Sequence, residues 1–132
     1  MEASQLKSVS LFEDVGDDVL ERWAQSFQET ELLNGTGLAR EGEFAYKFFV
    51  VLDGEVEVLR DFEHVATLGA GEFFGEMGLV NAERRNARIV ANSRCRVAWM
   101  MGWDFETMTK ESPAIAARIQ SAIDERSASA DG

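Results

Sequence analysis

The sequence has 132 residues and a formal net charge of −11, from 24 acidic and 13 basic side chains. A surface this acidic repels phosphate backbones and anionic lipid headgroups, so we expect neither nucleic acid nor a membrane as a partner. The single cysteine and single histidine, Cys95 and His64, exclude an internal disulfide framework and argue against a zinc site.

Length and composition predict one domain over residues 1–132, with 45% hydrophobic and 28% charged residues. The N-terminal residues lack the apolar core of a secretory signal. No apolar run approaches the roughly 18 residues that span a bilayer. Together with the lone cysteine, these features predict a reducing, cytoplasmic environment.

The first predicted element is a helix over residues 10–28. Asp17 or Asp18 is a candidate N-cap for it. Apolar side chains follow at helical spacing, namely Val19, Leu20, Trp23, Ala24 and Phe27.

From about residue 29 the pattern changes to short apolar runs separated by glycines. Residues 47–52 form a continuous β-branched and aromatic run that predicts a buried strand. Asp53-Gly54 after this run indicates a tight hairpin turn. Residues 55–59 alternate between polar and apolar, and a short strand is predicted over 65–68 after a polar turn. His64, in that charged stretch, is predicted to be a solvated loop residue.

Two further strands are predicted over residues 87–91 and 96–101, paired through a turn at Asn92-Ser93. Strands this short, with frequent turns, indicate an all-β sandwich, barrel or roll. Two helices then follow, the first with Asp104 as its cap and the second with Ser112 as cap and Pro113 at its first position. The tail from Ser127 is expected to fray.

The segment 71–91 carries the strongest functional signal. Gly75 permits a positive φ or the close approach of a ligand to the backbone, and residues 76–80 can form one helical turn. Backbone N–H groups at such a turn bind anions. Arg84, Arg85 and Arg88 follow, as the one concentrated arginine cluster in this acidic sequence. The carboxylate of Glu76 would repel an anion, so its position beside an anion site is explained only if the ligand also offers hydroxyl donors, as a ribose does.

This segment resembles the phosphate-binding cassette of the cyclic-nucleotide-binding domain family. The resemblance lies in Phe74-Gly75-Glu76-Met77-Gly78-Leu79 followed by Arg85-Asn86-Ala87, with a spacing similar to that in protein kinase A regulatory subunits. It extends upstream through residues 40–58 and 66–73 and covers about residues 10–123. The family's fold is an antiparallel β-roll with flanking helices, in the α+β class. It implies a roll over about 29–101 and terminal lid helices over 102–126.

The resemblance also implies roles for individual residues. Phosphate contacts would come from Arg85 and from the amides of Asn86 and Ala87. Ribose contacts would come from Glu76, assisted by the backbone of Gly75 and Met77. Contacts with the base or sugar would come from the apolar side chains Val58, Val65 and Leu68, and from the lid residues Ile119 and Ile123.

Three positions depart from the family pattern. Asn86 stands where alanine, serine or threonine is usual, and its amide can donate to phosphate or reach a purine edge, which leaves the base preference open. Gly78 replaces a commoner alanine at a cost of about 1 kcal/mol in helix propensity. Phe44 stands where the family often has proline.

The sequence therefore predicts a non-enzymatic regulatory module that binds a cyclic nucleoside monophosphate, cAMP in preference to cGMP, with no metal or cofactor. Its partner would be an effector protein or a fused output domain not visible in these residues, and a homodimer is possible. The alternative is a degenerate member of the family that serves as an interaction or dimerisation module without ligand. An enzyme of the similar cupin type is excluded because the histidines that would hold its metal are missing.

Overall fold

The computed structural model describes residues 1–39, 46–75 and 87–131, and side chains as far as Glu125. Its helices are α1 (Ala3–Lys7), a 3₁₀ turn (Ser10–Phe12), α2 (Asp17–Ala24), α3 (Gly102–Glu111) and α4 (Pro113–Asp131). Its strands are β1 (Gln28–Leu32), β2 (Gly37–Ala39), β3 (Lys47–Asp53), β4 (Val56–Arg60), β5 (Glu63–Leu68), β6 (Phe73–Phe74), β7 (Arg88–Ala91) and β8 (Cys95–Met101).

The strands form two four-stranded sheets in which every pairing is antiparallel. The first sheet has the order β1-β8-β3-β6, and the second has the order β2-β7-β4-β5. The predicted antiparallel β-roll with flanking helices is confirmed.

The side chains of β3 show how the layers are built. Successive residues of a strand point to opposite faces of its sheet. Phe48 and Val50 therefore pack against the helices, while Phe49 and Val51 face the second sheet. Because both faces of β3 are covered, its sequence is a continuous apolar run rather than an alternating one.

Two apolar clusters result, one on each side of the first sheet. The helical cluster joins that sheet to the N- and C-terminal helices and contains, among others, Leu6, Phe12, Trp23, Phe27, Phe48, Phe105, Met108, Ile115, Ile119 and Ile123. The inter-sheet cluster lies between the two sheets and contains, among others, Leu32, Ala39, Phe49, Val56, Leu68, Phe74, Ile89, Cys95 and Val97.

Two predicted strand pairings are wrong, although the strands themselves exist. Asp53-Gly54 does not close a hairpin, because β3 lies in the first sheet and β4 in the second. Asn92-Ser93 likewise joins β7 in the second sheet to β8 in the first. Both turns carry the chain from one sheet to the other.

The two crossovers touch each other at Gly54. This residue has φ +82°, and a Cβ built on it would lie 2.5 Å from the carbonyl oxygen of Arg94 and 2.6 Å from the Cβ of Cys95. Only glycine fits both the backbone conformation and the contact.

The helix predicted over residues 10–28 is not continuous. A 3₁₀ turn is followed by α2, whose N-cap is Gly16 rather than an aspartate. Asp17 and Asp18 lie in the first turn of α2, where negative charge is favourable. The chain then leaves the helical state at Gln25 and enters β1 at Gln28.

The C-terminal helices agree more closely with the sequence prediction. The Ser112 hydroxyl accepts a hydrogen bond from the Ile115 N–H at 3.2 Å, which confirms the predicted cap of α4. The cap of α3 is Met101 and not Asp104, which lies in its first turn. Helix α4 continues to Asp131, so the backbone beyond Ser127 is helical. Among the described residues, no helix combines the length and apolar character that crossing a bilayer requires.

Candidate ligand-binding site

The predicted ligand segment connects the two sheets. Gly75 directly follows β6 in the first sheet, and Ala87 directly precedes β7 in the second. The predicted contacts between them, Glu76, Met77, Arg85 and Asn86, lie outside the described residues, as do the predicted helical turn over 76–80, Arg84, and the upstream segment 40–45 with Phe44.

Gly75 has φ +92°, in the left-handed region that favours glycine. The predicted positive φ at this position is therefore confirmed. The residue before it, Phe74, is buried and stacks on Phe49 with ring centroids 4.7 Å apart and planes at 8°. The N-terminal end of the segment is thus fixed in the inter-sheet cluster.

The C-terminal end is fixed in the same cluster from the opposite sheet. Ala87 is buried, and Ile89 two residues later pairs with both Ala39 and Val58. Arg88, the third member of the arginine cluster, begins β7 and is exposed. Phe74 and Ile89, which flank this segment, therefore lie in one apolar cluster and belong to its two opposite sheets.

Two of the predicted base contacts lie together. Leu68 belongs to the inter-sheet cluster, and Val58 packs against it while staying partly exposed. Val65 is placed differently, because Val58 pairs with Ala66 and Leu59 with His64, so that Val65 is the extra residue of a bulge and is 47% exposed.

Sequence reasoning missed Ala66, which lies directly opposite Val58 and two residues from Leu68. Side chains alternate between the two faces of a strand, so Ala66 and Leu68 lie on the same face of β5. Ala66 could therefore have been predicted by counting two residues back from Leu68.

The structure does not bring the predicted lid residues to this site. Ile119 and Ile123 are 1% and 5% exposed in the helical cluster, on the far side of the first sheet from Val58 and Leu68. In this structure both side chains therefore belong to the core, and their assignment as a lid over the base stays a prediction.

Many basic side chains among the described residues are engaged with carboxylates elsewhere. Examples are Arg22 with Glu111 at 2.7 Å and Arg96 with Glu29 at 2.6 Å, and Arg118 pairs with Asp14. The hydrogen bond from Arg96 is the main reason why the pKa of Glu29 is lowered.

His64 and Cys95 offer no second reactive centre. His64 lies on β5 rather than in a loop, is exposed, and approaches Glu57 at 3.3 Å. Cys95 is buried at the start of β8, and burial, followed by the charge of Asp53, raises the pKa of its thiol. No cluster of three or more potential metal-ligating side chains occurs within the described parts of the chain.

Comparison with known proteins agrees with this geometry. The family model described as cyclic nucleotide-binding domain matches residues 29–112. Similar proteins include a cGMP-dependent protein kinase of Eimeria tenella, 29% identical over 83% of this chain and 11% of its own. A cyclic nucleotide-gated potassium channel of Rhizobium etli is 30% identical over 90% of this chain and 33% of its own. A cAMP-dependent protein kinase regulatory subunit of Yarrowia lipolytica is 35% identical over 70% of this chain and 25% of its own.

Solved structures share the fold. That of cAMP-bound PfPKA-R (141–441) superposes with a TM-score of 0.90 at 22% identity, covering 98% of this chain and 45% of the other. The catabolite activator protein of Thermus thermophilus superposes with a TM-score of 0.80 at 24% identity, covering 92% of this chain and 59% of the other. The regulatory subunit of a cAMP-independent protein kinase A from Trypanosoma brucei superposes with a TM-score of 0.82 at 22% identity, covering 90% of this chain and 43% of the other.

The chain belongs to the cyclic nucleotide-binding domain family. It is a regulatory domain of that family, with the β-roll and flanking helices that the fold comparison shows. It spans about a tenth to a third of the length of the three relatives just named.

Proposed function

We propose that this domain binds cAMP in the segment 75–87 and acts as a non-catalytic sensor for an effector protein or a fused output domain. One observation carries this proposal: the family match over residues 29–112 includes the whole segment in which this acidic chain concentrates its arginines. A local cation cluster within a net charge of −11 is what a small anionic ligand requires.

In this proposal Arg85 pairs with the cyclic phosphate, and the amides of Asn86 and Ala87 donate to the same oxygens. Glu76 accepts the ribose 2′-hydroxyl, with the backbone of Gly75 and Met77 beside it. The left-handed conformation of Gly75 supports this arrangement, since it allows the main chain to turn toward a ligand.

The base would lie against the partly exposed rim of the inter-sheet cluster. Val58 contributes to that rim, and Leu68 and Ala66 continue the same face of the second sheet. Val65, at the bulge, would contact the sugar or the edge of the base. Ile119 and Ile123 would close over the base as a lid, which requires α4 to leave the packing that it has here in the helical cluster.

The test is calorimetric titration of cAMP into the wild type and into Arg85→Ala. Loss of the guanidinium leaves a phosphate unpaired, and we expect a loss of about 2–5 kcal/mol, or roughly 30- to 5,000-fold in Kd. Arg94→Ala is the matched control, because Arg94 is an exposed arginine that pairs with Glu31. Equal affinities of wild type and Arg85→Ala would remove Arg85 from the site.

The preference for cAMP over cGMP is tested by competition between the two nucleotides. The relatives named above include proteins whose names specify cAMP and cGMP, so cGMP is the natural competitor. Asn86→Ala should change the ratio of the two affinities if its amide reaches the purine, and change both affinities equally if it contacts only the phosphate. Tighter binding of cGMP would contradict the preference.

A second candidate function is an interaction or dimerisation module that has lost its ligand. The likeness to the regulatory subunit of a cAMP-independent protein kinase A and the unusual Asn86 favour it. Thermal melts with cAMP, cGMP and AMP separate the candidates, because a ligand of the folded state raises Tm with its concentration. A Tm that does not respond to any of the three would support this second candidate.

A further inference from the structure

A groove lies on the helical side of the molecule, between α2 and the junction of α3 and α4. Its volume is about 420 Å³, which falls within the range of about 300–1,000 Å³ that ligand pockets occupy. The residues that line it belong to two stretches of the described chain, 14–23 and 111–118, and none of them lies in a strand. The groove is therefore separate from the segment 75–87 and from both sheets.

An ion pair closes the groove at each end. Arg22 of α2 donates to the Glu111 carboxylate of α3 at 2.7 Å, and the Trp23 indole donates to the same carboxylate at 3.0 Å. At the other end Arg118 of α4 pairs with Asp14. These contacts place the two stretches antiparallel, so the groove extends over about two helical turns.

The floor between the two ion pairs is apolar. Val15 lies just before α2, and Val19 lies four residues later, in its first turn. Both valines are half-buried and pack against the helical cluster, to which the buried Ile115 also belongs. Because the two valines are only half-buried, an apolar side chain placed on them would remove further apolar surface from water.

The rim of the groove carries an excess of negative charge. Two carboxylates already take part in the ion pairs at its ends. Glu13, which lies 3.9 Å from the Arg118 guanidinium, and Asp18, one helical turn before Arg22, add two more. Four carboxylates therefore surround two arginines, in a chain whose net charge is −11. An apolar floor with an acidic rim is complementary to a segment that is apolar on one face and basic on the other.

We propose that this groove is the docking site for a basic amphipathic segment of a partner protein. One bulky apolar side chain of that segment would lie on Val15 and Val19, and its lysine or arginine side chains would lie against Glu13 and Asp18. A second copy of this chain is the less favourable occupant, because two molecules of this net charge repel each other. Neither a nucleotide nor the segment 75–87 takes part in this contact, so it is independent of the proposed function.

The experiment is an NMR titration of the isotope-labelled domain with a helical peptide of leucine and lysine, about 18 residues long, in which leucine recurs at helical spacing. Two indole N–H signals provide the readout and its internal control. The Trp23 indole lies in the wall of the groove, whereas the Trp99 indole donates to the Thr30 hydroxyl at 3.1 Å in the first sheet. We expect the Trp23 signal to shift with a Kd of about 10–100 μM, while the Trp99 signal stays in place. A peptide with glutamate in place of lysine should not bind.

Val19→Lys tests the floor of the groove. It places a charge where the apolar side chain of the peptide would lie, and it should weaken binding at least about tenfold. Val90→Lys is the matched control, because Val90 is also a half-buried valine but belongs to β7 in the second sheet.

The double variant Glu13→Gln, Asp18→Asn tests the rim and retains the carboxylates of both ion pairs at the ends of the groove. It should weaken binding about three- to tenfold. The double variant Glu55→Gln, Glu63→Gln is its control, because it removes the same charge from exposed positions next to β4 and in β5. Since Glu13 and Asp18 are exposed, this second pair of variants keeps the test decisive if Val19→Lys does not fold.

The inference would be overturned by a Trp23 signal that does not respond to the leucine–lysine peptide, by equal binding of the glutamate peptide, or by variants that bind as tightly as their controls. It would also be overturned by sedimentation that shows a dimer which Val19→Lys dissociates, because the groove would then belong to a second copy. Failure of the cAMP titration contradicts the proposed function alone, since this experiment contains no nucleotide.

Discussion

Gly54 and Gly35 share a backbone conformation and differ in their surroundings. Gly35 has φ +91° with no atom within 4 Å of an added Cβ, whereas at Gly54 that Cβ would collide with the backbone of Arg94 and with Cys95. Gly35→Ala should therefore lose only the cost of a left-handed residue, about 1 kcal/mol. Gly54→Ala should lose about 3 kcal/mol, because overpacking adds to that cost.

Chemical denaturation of both variants measures the difference. Since the two glycines have nearly the same φ, the difference between them isolates the contact between the crossovers. Equal stabilities would mean that the chain at Arg94 and Cys95 relaxes without cost.

The sequence predicted the positive φ of Gly75 correctly. At Gly54 it predicted the turn but not the crossover between the two sheets. Gly75 was identifiable because Gly75 and Gly78 interrupt an apolar run, which is a local signal. The turn at Gly54 was equally visible. Its contact with Cys95 was not, because the pattern around one glycine does not specify which distant residue approaches it.

The β4–β5 hairpin illustrates strain at the scale of an element. Its two loop residues, Asp61 and Phe62, have φ of +53° and +66°, the conformation that Asn-Gly adopts without strain. Phe62 is 88% exposed, so its ring contributes little packing to this chain. We expect Phe62→Gly to stabilise the fold by about 0.5–1 kcal/mol, since the left-handed cost outweighs the added chain entropy.

Thermal melts of Phe62→Gly and Phe62→Ala test this explanation. The alanine variant keeps the Cβ that causes the strain and should melt near the wild type, while the glycine variant should melt about 2–5 °C higher. A gain in both variants would show that the ring itself destabilises the hairpin.

The hydrogen bonds that link α2 to α3 through Glu111 predict that the stability of the fold depends on pH. Glu111, at the end of α3, accepts hydrogen bonds from the Trp23 indole at 3.0 Å and from Arg22 at 2.7 Å. The Trp23 bond, followed by Arg22, lowers the pKa of Glu111 from its ordinary value of 4.5. A carboxyl with a lowered folded pKa stabilises the fold above its unfolded pKa, and this contribution disappears as the pH falls through the folded value.

Glu111→Gln removes that titration while keeping an acceptor for Trp23. The difference in Tm between wild type and Glu111→Gln should therefore be largest near pH 6 and should shrink as the pH falls below about 4.5. A difference that stays constant down to about pH 3 would show that the charge of Glu111 does not contribute.

Strand positions were predictable from the sequence, and strand partners were not. The run over residues 47–52 identified β3 because apolar β-branched and aromatic residues fit a doubly covered strand. The turns after β3 and β7 show that the chain bends, but a bend within one sheet and a crossover between sheets use the same residues. Only the three-dimensional packing around Gly54 distinguishes the two.

At the scale of the whole molecule, the packing in three layers determines which surface the last helix faces in this structure. The apolar stripe Ile115, Ile119 and Ile123 was visible in the sequence as the buried face of a helix. An apolar stripe alone does not determine which surface it packs against. Here the stripe packs with the N-terminal helices on one side of the first sheet, and the candidate site lies on the other side. The cassette, by contrast, was predicted from a contiguous motif that resembles the family pattern, Phe74-Gly75-Glu76 followed by Arg85-Asn86-Ala87.

The contact of Gly54 with Arg94 and Cys95 has a consequence for how such domains diversify. The chain leaves the first sheet after β3 at Gly54, contributes β6 to that sheet on the way, and returns to it for β8 at Cys95, so the residues between Gly54 and Cys95 form an excursion closed at its base. We therefore expect exchanges within residues 76–86 to leave the packing at Gly54 and Cys95 unchanged. Under the proposed function, such exchanges would change the ligand specificity while the helices and the central strands of the first sheet keep the same hydrophobic core.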